Sequence, residues 1–130
     1  MKTFNLKIIT PKGIYKETEV EMINIRTTGG QIGVLARHLP LASGVEISEM
    51  NCIINGEKQR FAISGGFIYV GDDETTIIAN SIESPEEIDL RRAEEAKRRA
   101  ETRLTNRDCD IQRAELALKK AITRINVKNG

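Results

Sequence analysis

With 130 residues, 39% of them hydrophobic and 30% charged, the chain is long enough for one real core, or for one small domain with an appendage. No apolar run approaches the ~20 residues of a membrane-spanning helix, and one histidine with two cysteines, Cys52 and Cys109, has no metal-ligand spacing for zinc or iron. The net charge of +1 splits into 8 basic and 10 acidic side chains over residues 1–84 and 12 basic and 9 acidic over 85–130, too mixed in sign for a nucleic-acid arm.

From the N-terminus, polar residues interrupt Met1-Lys2-Thr3-Phe4-Asn5-Leu6-Lys7 where a signal peptide needs a continuous apolar stretch, so the sequence predicts an intracellular protein with reduced thiols. Phe4, Leu6 and Ile8 alternate with polar residues as one face of a strand that stops at Thr10-Pro11-Lys12-Gly13. A second strand is predicted through Val20 and Met22 to Thr27. Thr28-Gly29-Gly30-Gln31 then turns into a third, Ile32-Gly33-Val34-Leu35. Asn55-Gly56 is the strongest hairpin signal, because both residues accept the positive φ of a type I′ turn. Gly65-Gly66 leads into Phe67-Ile68-Tyr69-Val70, and Asp72-Asp73-Glu74 turns that strand into Thr76-Ile77-Ile78-Ala79. Short strands at this spacing fit a sandwich, a flattened barrel, or an open sheet with helices laid over it. His38, in Arg37-His38-Leu39-Pro40, has no nucleophile or orienting partner in view and reads as a loop or contact residue.

Composition changes abruptly at Pro85. Beyond it there is no proline or aromatic residue, and the one remaining glycine is Gly130. Residues 1–84 therefore read as a β-domain and residues 85–130 as a helical one. Ser84-Pro85-Glu86-Glu87 carries the cap, first-turn proline and capping-box glutamate of a helix start. Helical spacing then puts Ile88, Asp89, Arg92, Ala93, Arg99 and Ala100 on one face, and pairs of Glu87 with Arg91, Glu94 with Arg98 and Glu95 with Arg99 are expected on the other. The pattern fades over 105–110 and resumes at Ile111, Ala114, Ala117, Leu118, Ala121, Ile122 and Ile125, with Asn106, Asp108 or Asp110 as the cap of a second helix. An antiparallel helix-turn-helix hairpin follows, although the joint, which lacks glycine and proline, also permits one continuous helix. Its alanine-rich stripes bury little apolar area, so the hairpin is expected to dock weakly. Arg113, Lys120 and Arg124 form a basic row beside the second stripe, matching Arg92, Arg99 and Arg103 on the first. Spacing alone leaves three uses for these rows: a solvated face, a site for a polyanion such as a nucleoside triphosphate, or a surface for an acidic partner.

These residues resemble a known family, the epsilon subunit of F-type ATP synthase. The resemblance rests on Thr28-Gly29-Gly30-Gln31-Ile32-Gly33-Val34-Leu35-Ala36-Arg37-His38-Leu39-Pro40-Leu41, on Ile63-Ser64-Gly65-Gly66-Phe67-Ile68-Tyr69-Val70 and on Arg113-Ala114-Glu115-Leu116-Ala117-Leu118. It implies an N-terminal β-sandwich followed by a C-terminal antiparallel helix-turn-helix hairpin, with no catalysis in this chain. It implies a place in the rotating central stalk, bound to the gamma subunit and the c-ring, at the cytoplasmic face of a bacterial membrane, with the hairpin able to extend toward the alpha/beta head and restrain ATP hydrolysis. A subset of members binds ATP through an Ile/Leu-Asp-x-x-Arg-Ala motif, which Ile88-Asp89-Leu90-Arg91-Arg92-Ala93 matches. By that likeness Ile88, Asp89, Ala93 and Glu83 would hold the base, and Arg92, Arg99, Arg113 and Arg124 would face the phosphates. Lys120 stands where such members often carry arginine; it keeps the charge and loses the planar fork. A free-standing nucleotide sensor or enzyme inhibitor built on the same two parts is the alternative.

Overall fold

Strand alternation dictates the first 83 residues of the computed structural model, which describes residues 2–106 and 110–130. β1 (Phe4–Thr10) buries Phe4, Leu6 and Ile8, the face its alternation predicts, and turns through Pro11 and Lys12 into β2 (Gly13–Val20). β3 (Met22–Thr27) and β4 (Gly30–Leu35) form the next hairpin, whose turn is pinned where Thr27 Oγ1 donates to the Gly30 carbonyl at 2.8 Å. The long strands β5 (Leu41–Ile54) and β6 (Glu57–Val70) meet at Asn55 and Gly56, whose φ of 51° and 79° give the predicted turn. β7 (Glu74–Ala79) and β8 (Ile82–Glu83) complete the set. The sheet runs β2-β1-β7-β6-β5-β3-β4, with β8 on β6 and one parallel pair, β1 with β7. It folds over on itself into a β-sandwich: Tyr15 of β2 meets Phe61 of β6 edge to face at 6.2 Å, and side chains from β1 to β8 share one apolar core.

Glycine makes that folding-over possible. The ladder between β5 and β6 skips Glu46 and Gly65, and there the inward face changes phase, from Phe61 and Ile63 on one side to Ile68 and Val70 on the other. Gly65 and Gly66, with φ of 96° and 146°, rotate the strand at this point. The pair therefore lies inside one strand rather than leading into a new one. Its outward residues differ at the two ends. Arg60 and Ala62 point toward the helices, whereas Phe67 and Tyr69 point to solvent.

Two further expectations are corrected. The predicted second strand is two strands that part at Glu21, β2 pairing with β1 and β3 with β4 and β5. β2 was missed because, as an edge strand, it needs little apolar alternation; only Val20 is buried. The first helix, α1 (Leu90–Leu104), starts five residues after the predicted first position, Pro85. Ser84 makes only an isolated turn: its carbonyl accepts from the Glu87 and Ile88 amides, and its own amide donates to Glu87 Oε1 at 2.9 Å. Ile88 is then drawn into an apolar cluster with Ala62 and Val127, and Asp89, with extended backbone, becomes the cap by accepting from the Arg92 amide at 3.2 Å. Burying Ile88 outweighs continuing the first turn.

α2 (Ile111–Asn129) is capped by Asp110, one of the three predicted candidates; Asp108 and Cys109 lie outside the described residues. The helices pack side by side with Ala93, Ala100, Ala114 and Ala121 buried in the seam. The end of α2 returns to the start of α1, because Lys128 Nζ donates to the Pro85 carbonyl at 2.8 Å; the pair is an antiparallel hairpin. Of the expected charge pairs, two residues take other partners. Glu95 binds Arg91 at 3.4 Å, and Glu87 is taken up by Tyr15.

Candidate functional site

The hairpin meets the sandwich along the end of α2, and the sequence-predicted site residues lie on and beside that junction. Arg124 Nε donates to Glu83 Oε1 at 2.6 Å, tying α2 to β8 with both side chains about one-third exposed (34% and 29%). Lys120 lines the same narrow groove, together with Ser64, Ser81 and Thr123; its volume of about 10 Å³ is room for no more than a single water. Glu83, Lys120 and Arg124 are therefore brought together by folding. Ile88 is 3% exposed beneath Ala62 and Val127, and Ala93 is 2% exposed in the helix seam. Asp89 is occupied as the cap of α1, while Arg92 and Arg113 are exposed on the helices that their amides help to cap. Arg99 is also exposed and lines a cleft of about 460 Å³ with Glu95, Arg98, Thr102 and Arg103.

A triphosphate needs several cations free to converge, and an adenine needs an apolar slot. The donor chemistry is present in Arg92, Arg99, Arg113, Lys120 and Arg124. In this conformation, however, Arg124 is engaged by Glu83, and Ile88 is packed under protein.

Sequence reasoning missed the other half of the junction. Tyr15 of β2 donates its hydroxyl to Glu87, so the 84–87 turn is held to the edge of the sandwich. Clefts of about 580 Å³ and 710 Å³ flank this tie. Burial pushes the Tyr15 hydroxyl well above the ordinary tyrosine range, and the Glu87 carboxylate adds to the effect. Burial acts to raise Glu87, but bonds from Tyr15 and Ser84 outweigh it and hold the carboxyl below its usual value. A lowered carboxyl contributes stability that is lost as pH falls through its folded value; a raised phenol contributes stability that is lost as pH rises above ~10. The tie is therefore expected to hold from about pH 5 to about pH 10 and weaken outside that window. Hydrogen exchange at residues 84–88 checks this; Tyr15→Phe should remove the alkaline limb and shrink the acid one, since Ser84 still bonds Glu87. No signal in the local sequence marks Tyr15, 72 residues away from Glu87.

His38 closes a loop, its amide donating to the Leu35 carbonyl at 3.1 Å and its Nδ1 lying 2.7 Å from the Leu39 carbonyl. Cys52 is a buried free thiol, and burial raises its pKa. Among the described residues no group of three or more His, Cys, Asp or Glu side chains gathers to hold a metal, and no helix is long and apolar enough to cross a membrane.

Fold and junction define a class of protein: a β-sandwich module with an alanine-seamed helical hairpin latched to its outer face. Two family models match this chain, the beta-sandwich domain of the ATP synthase delta/epsilon chain over residues 3–85 and its long alpha-helix domain over residues 86–129. The chain belongs to the ATP synthase delta/epsilon chain family. It is 44% identical over 106 residues to the ATP synthase epsilon chain of Desulfitobacterium hafniense (82% of this chain, 80% of that one) and 42% identical over 107 residues to that of Bacillus thuringiensis, with the same coverage. Among solved structures it is similar to a chain of the Euglena gracilis mitochondrial ATP synthase OSCP/F1/c-ring assembly, with a TM-score of 0.85 and 26% identity over 98% of this chain and 82% of that one. A chain of the Tetrahymena thermophila mitochondrial central stalk and c-ring shares the fold, with a TM-score of 0.64 and 12% identity over 98% of this chain and 95% of that one.

Proposed function

We propose that this chain is a non-catalytic rotor subunit that joins the gamma subunit and the c-ring of an F-type ATP synthase, peripheral to the cytoplasmic face of a bacterial membrane, and so helps to couple ion flow to ATP synthesis. Its hairpin is the regulatory part: extended toward the alpha/beta head it restrains ATP hydrolysis, and folded it binds ATP. The observation that carries this reading is the way the hairpin is attached. Among the described residues, apart from its own seam, its buried apolar contact with the sandwich is a cluster of three, Ala62, Ile88 and Val127, separate from the main core. An element so attached can leave without unfolding the sandwich. The epsilon chain relatives and the stalk and c-ring assemblies that hold similar chains support the stalk role. An exposed apolar face also supports it, with Phe67 and Tyr69 stacked at 6.3 Å beside Ile78.

ATP would bias the hairpin without controlling it alone. At about 100 times its dissociation constant a ligand stabilises the bound form by about 2.7 kcal/mol, whereas moving a balance from 1:99 to 99:1 takes about 5.5 kcal/mol. Gamma and beta contacts would supply the rest. Two measurements separate the parts of the proposal. The chain should co-purify with gamma, and Phe67→Ala with Ile78→Asp should abolish that capture; a chain that never captures gamma is a free-standing sensor instead. Titration with ATP should compact the hairpin, and Arg92→Ala should weaken the response. No binding heat at millimolar ATP would remove the sensor role and leave the stalk role standing.

A further inference from the structure

The way the hairpin is held depends on a strand residue. Arg60 lies on the outward side of β6, and its guanidinium forms an ion pair with Glu49 of the neighbouring strand β5. From there Nη1 reaches the Val127 carbonyl at 3.4 Å and Nη2 the Asn126 carbonyl at 3.5 Å, both in the last turn of α2. Gly130 lies against the same guanidinium so closely that a Cβ there would collide with it. The last carbonyls of a helix carry the negative end of its dipole and mostly lack intrahelical donors; the Val127 carbonyl is one of these, whereas that of Asn126 already accepts from the Gly130 amide at 2.9 Å, so Arg60 is a second donor there. Arginine suits this position because its planar fork offers several donors at once: Nη1 serves Val127, while Nη2 is shared between Asn126 and the Glu49 carboxylate. Each carbonyl contact is long, and the charge compensates. At 23% side-chain exposure the guanidinium is shielded enough for it to count.

We propose that Arg60 is the latch by which the β-sandwich holds the hairpin down: Glu49 aims the guanidinium, and the guanidinium caps the end of α2. The regulatory consequence rests on the hairpin mobility proposed above; the contact itself does not. Loss of the latch frees α2 while leaving the sandwich folded, because Arg60 is outside the sandwich core. Release is also salt-sensitive, since the cap is a charge on a dipole.

Hydrogen exchange of the full chain tests this. In Arg60→Gln, amides of α1 and α2 should exchange about tenfold faster, the loss of a charged donor to backbone acceptors, while those of β5 and β6 stay at wild-type rates. Arg60→Lys should restore part of the protection, and high salt should shrink the difference between wild type and variant. Glu49→Gln should loosen the hairpin by a smaller factor while keeping Arg60 in place. Hairpin amides unchanged in Arg60→Gln would overturn the proposal. Equal acceleration in β5 and β6 would also do so, by reducing the residue to a cross-strand ion pair of the sheet. Wild-type hairpin amides as protected as the sandwich core would instead count against mobility, a separate result from the variant's shift.

Discussion

Gly66→Ala is expected to be severely destabilising for the addition of one carbon, costing about 3–5 kcal/mol, a large part of what holds a domain of this size together. Two effects combine. The φ of 146° at Gly66 is one that side-chain-bearing residues avoid, and a Cβ there would collide with the Ile78 carbonyl oxygen while lying 3.0 Å from the Ala79 Cα. Neither neighbour can yield cheaply, because both are backbone of β7, paired to β6 at this point. Urea unfolding followed by circular dichroism measures the loss. Gly56→Ala is the control: its φ of 79° is also positive, but nothing lies within 4 Å of the added carbon, so about 1 kcal/mol is expected. Equal effects at the two sites would mean that the close approach to β7 does not matter.

The second large effect should appear in the hairpin alone. Ala121 is fully buried, facing a seam otherwise made of Ala93, Ala100 and Ala114. Leucine at Ala121 adds three carbons where two backbones approach closely, and overpacking of this kind costs about 1–3 kcal/mol. The strain cannot spread into the sandwich, whose core is a separate cluster, so the helices should part instead. The expected result for Ala121→Leu is faster amide exchange throughout α1 and α2, with an unchanged unfolding midpoint for the sandwich. If the extended hairpin restrains hydrolysis as proposed, the same variant should lower ATP hydrolysis in a reconstituted complex. A hairpin that stays protected would mean that the seam has slack.

The Asn55-Gly56 turn, the inward face of β1, the alanine seam and, as one of three candidates, the Asp110 cap of α2 were legible in the amino-acid order. Each depends on residues within a few positions of one another, where backbone propensity and side-chain period decide the outcome. The basic row of Arg113, Lys120 and Arg124 was legible for the same reason. What these cations meet was not. Arg124 meets Glu83 only because α2 folds back across β8, and the latch residue Arg60 lies on a strand whose local pattern says nothing of a helix end. Tertiary structure also decided where α1 begins. Local signals favoured Ser84, but the apolar contact of Ile88 with Ala62 and Val127 moved the start to Leu90. In the same way, the division of β2 from β3 at Glu21 and the change of inward face at Gly65 and Gly66 follow from closing a sandwich. The sequence by itself thus determined the division into a β-part and two helices, most of the strands, and which side of most elements is apolar. Only the packed chain decided which charges pair and how firmly the hairpin is held, because those contacts join residues far apart in sequence and exist only once the layers have met.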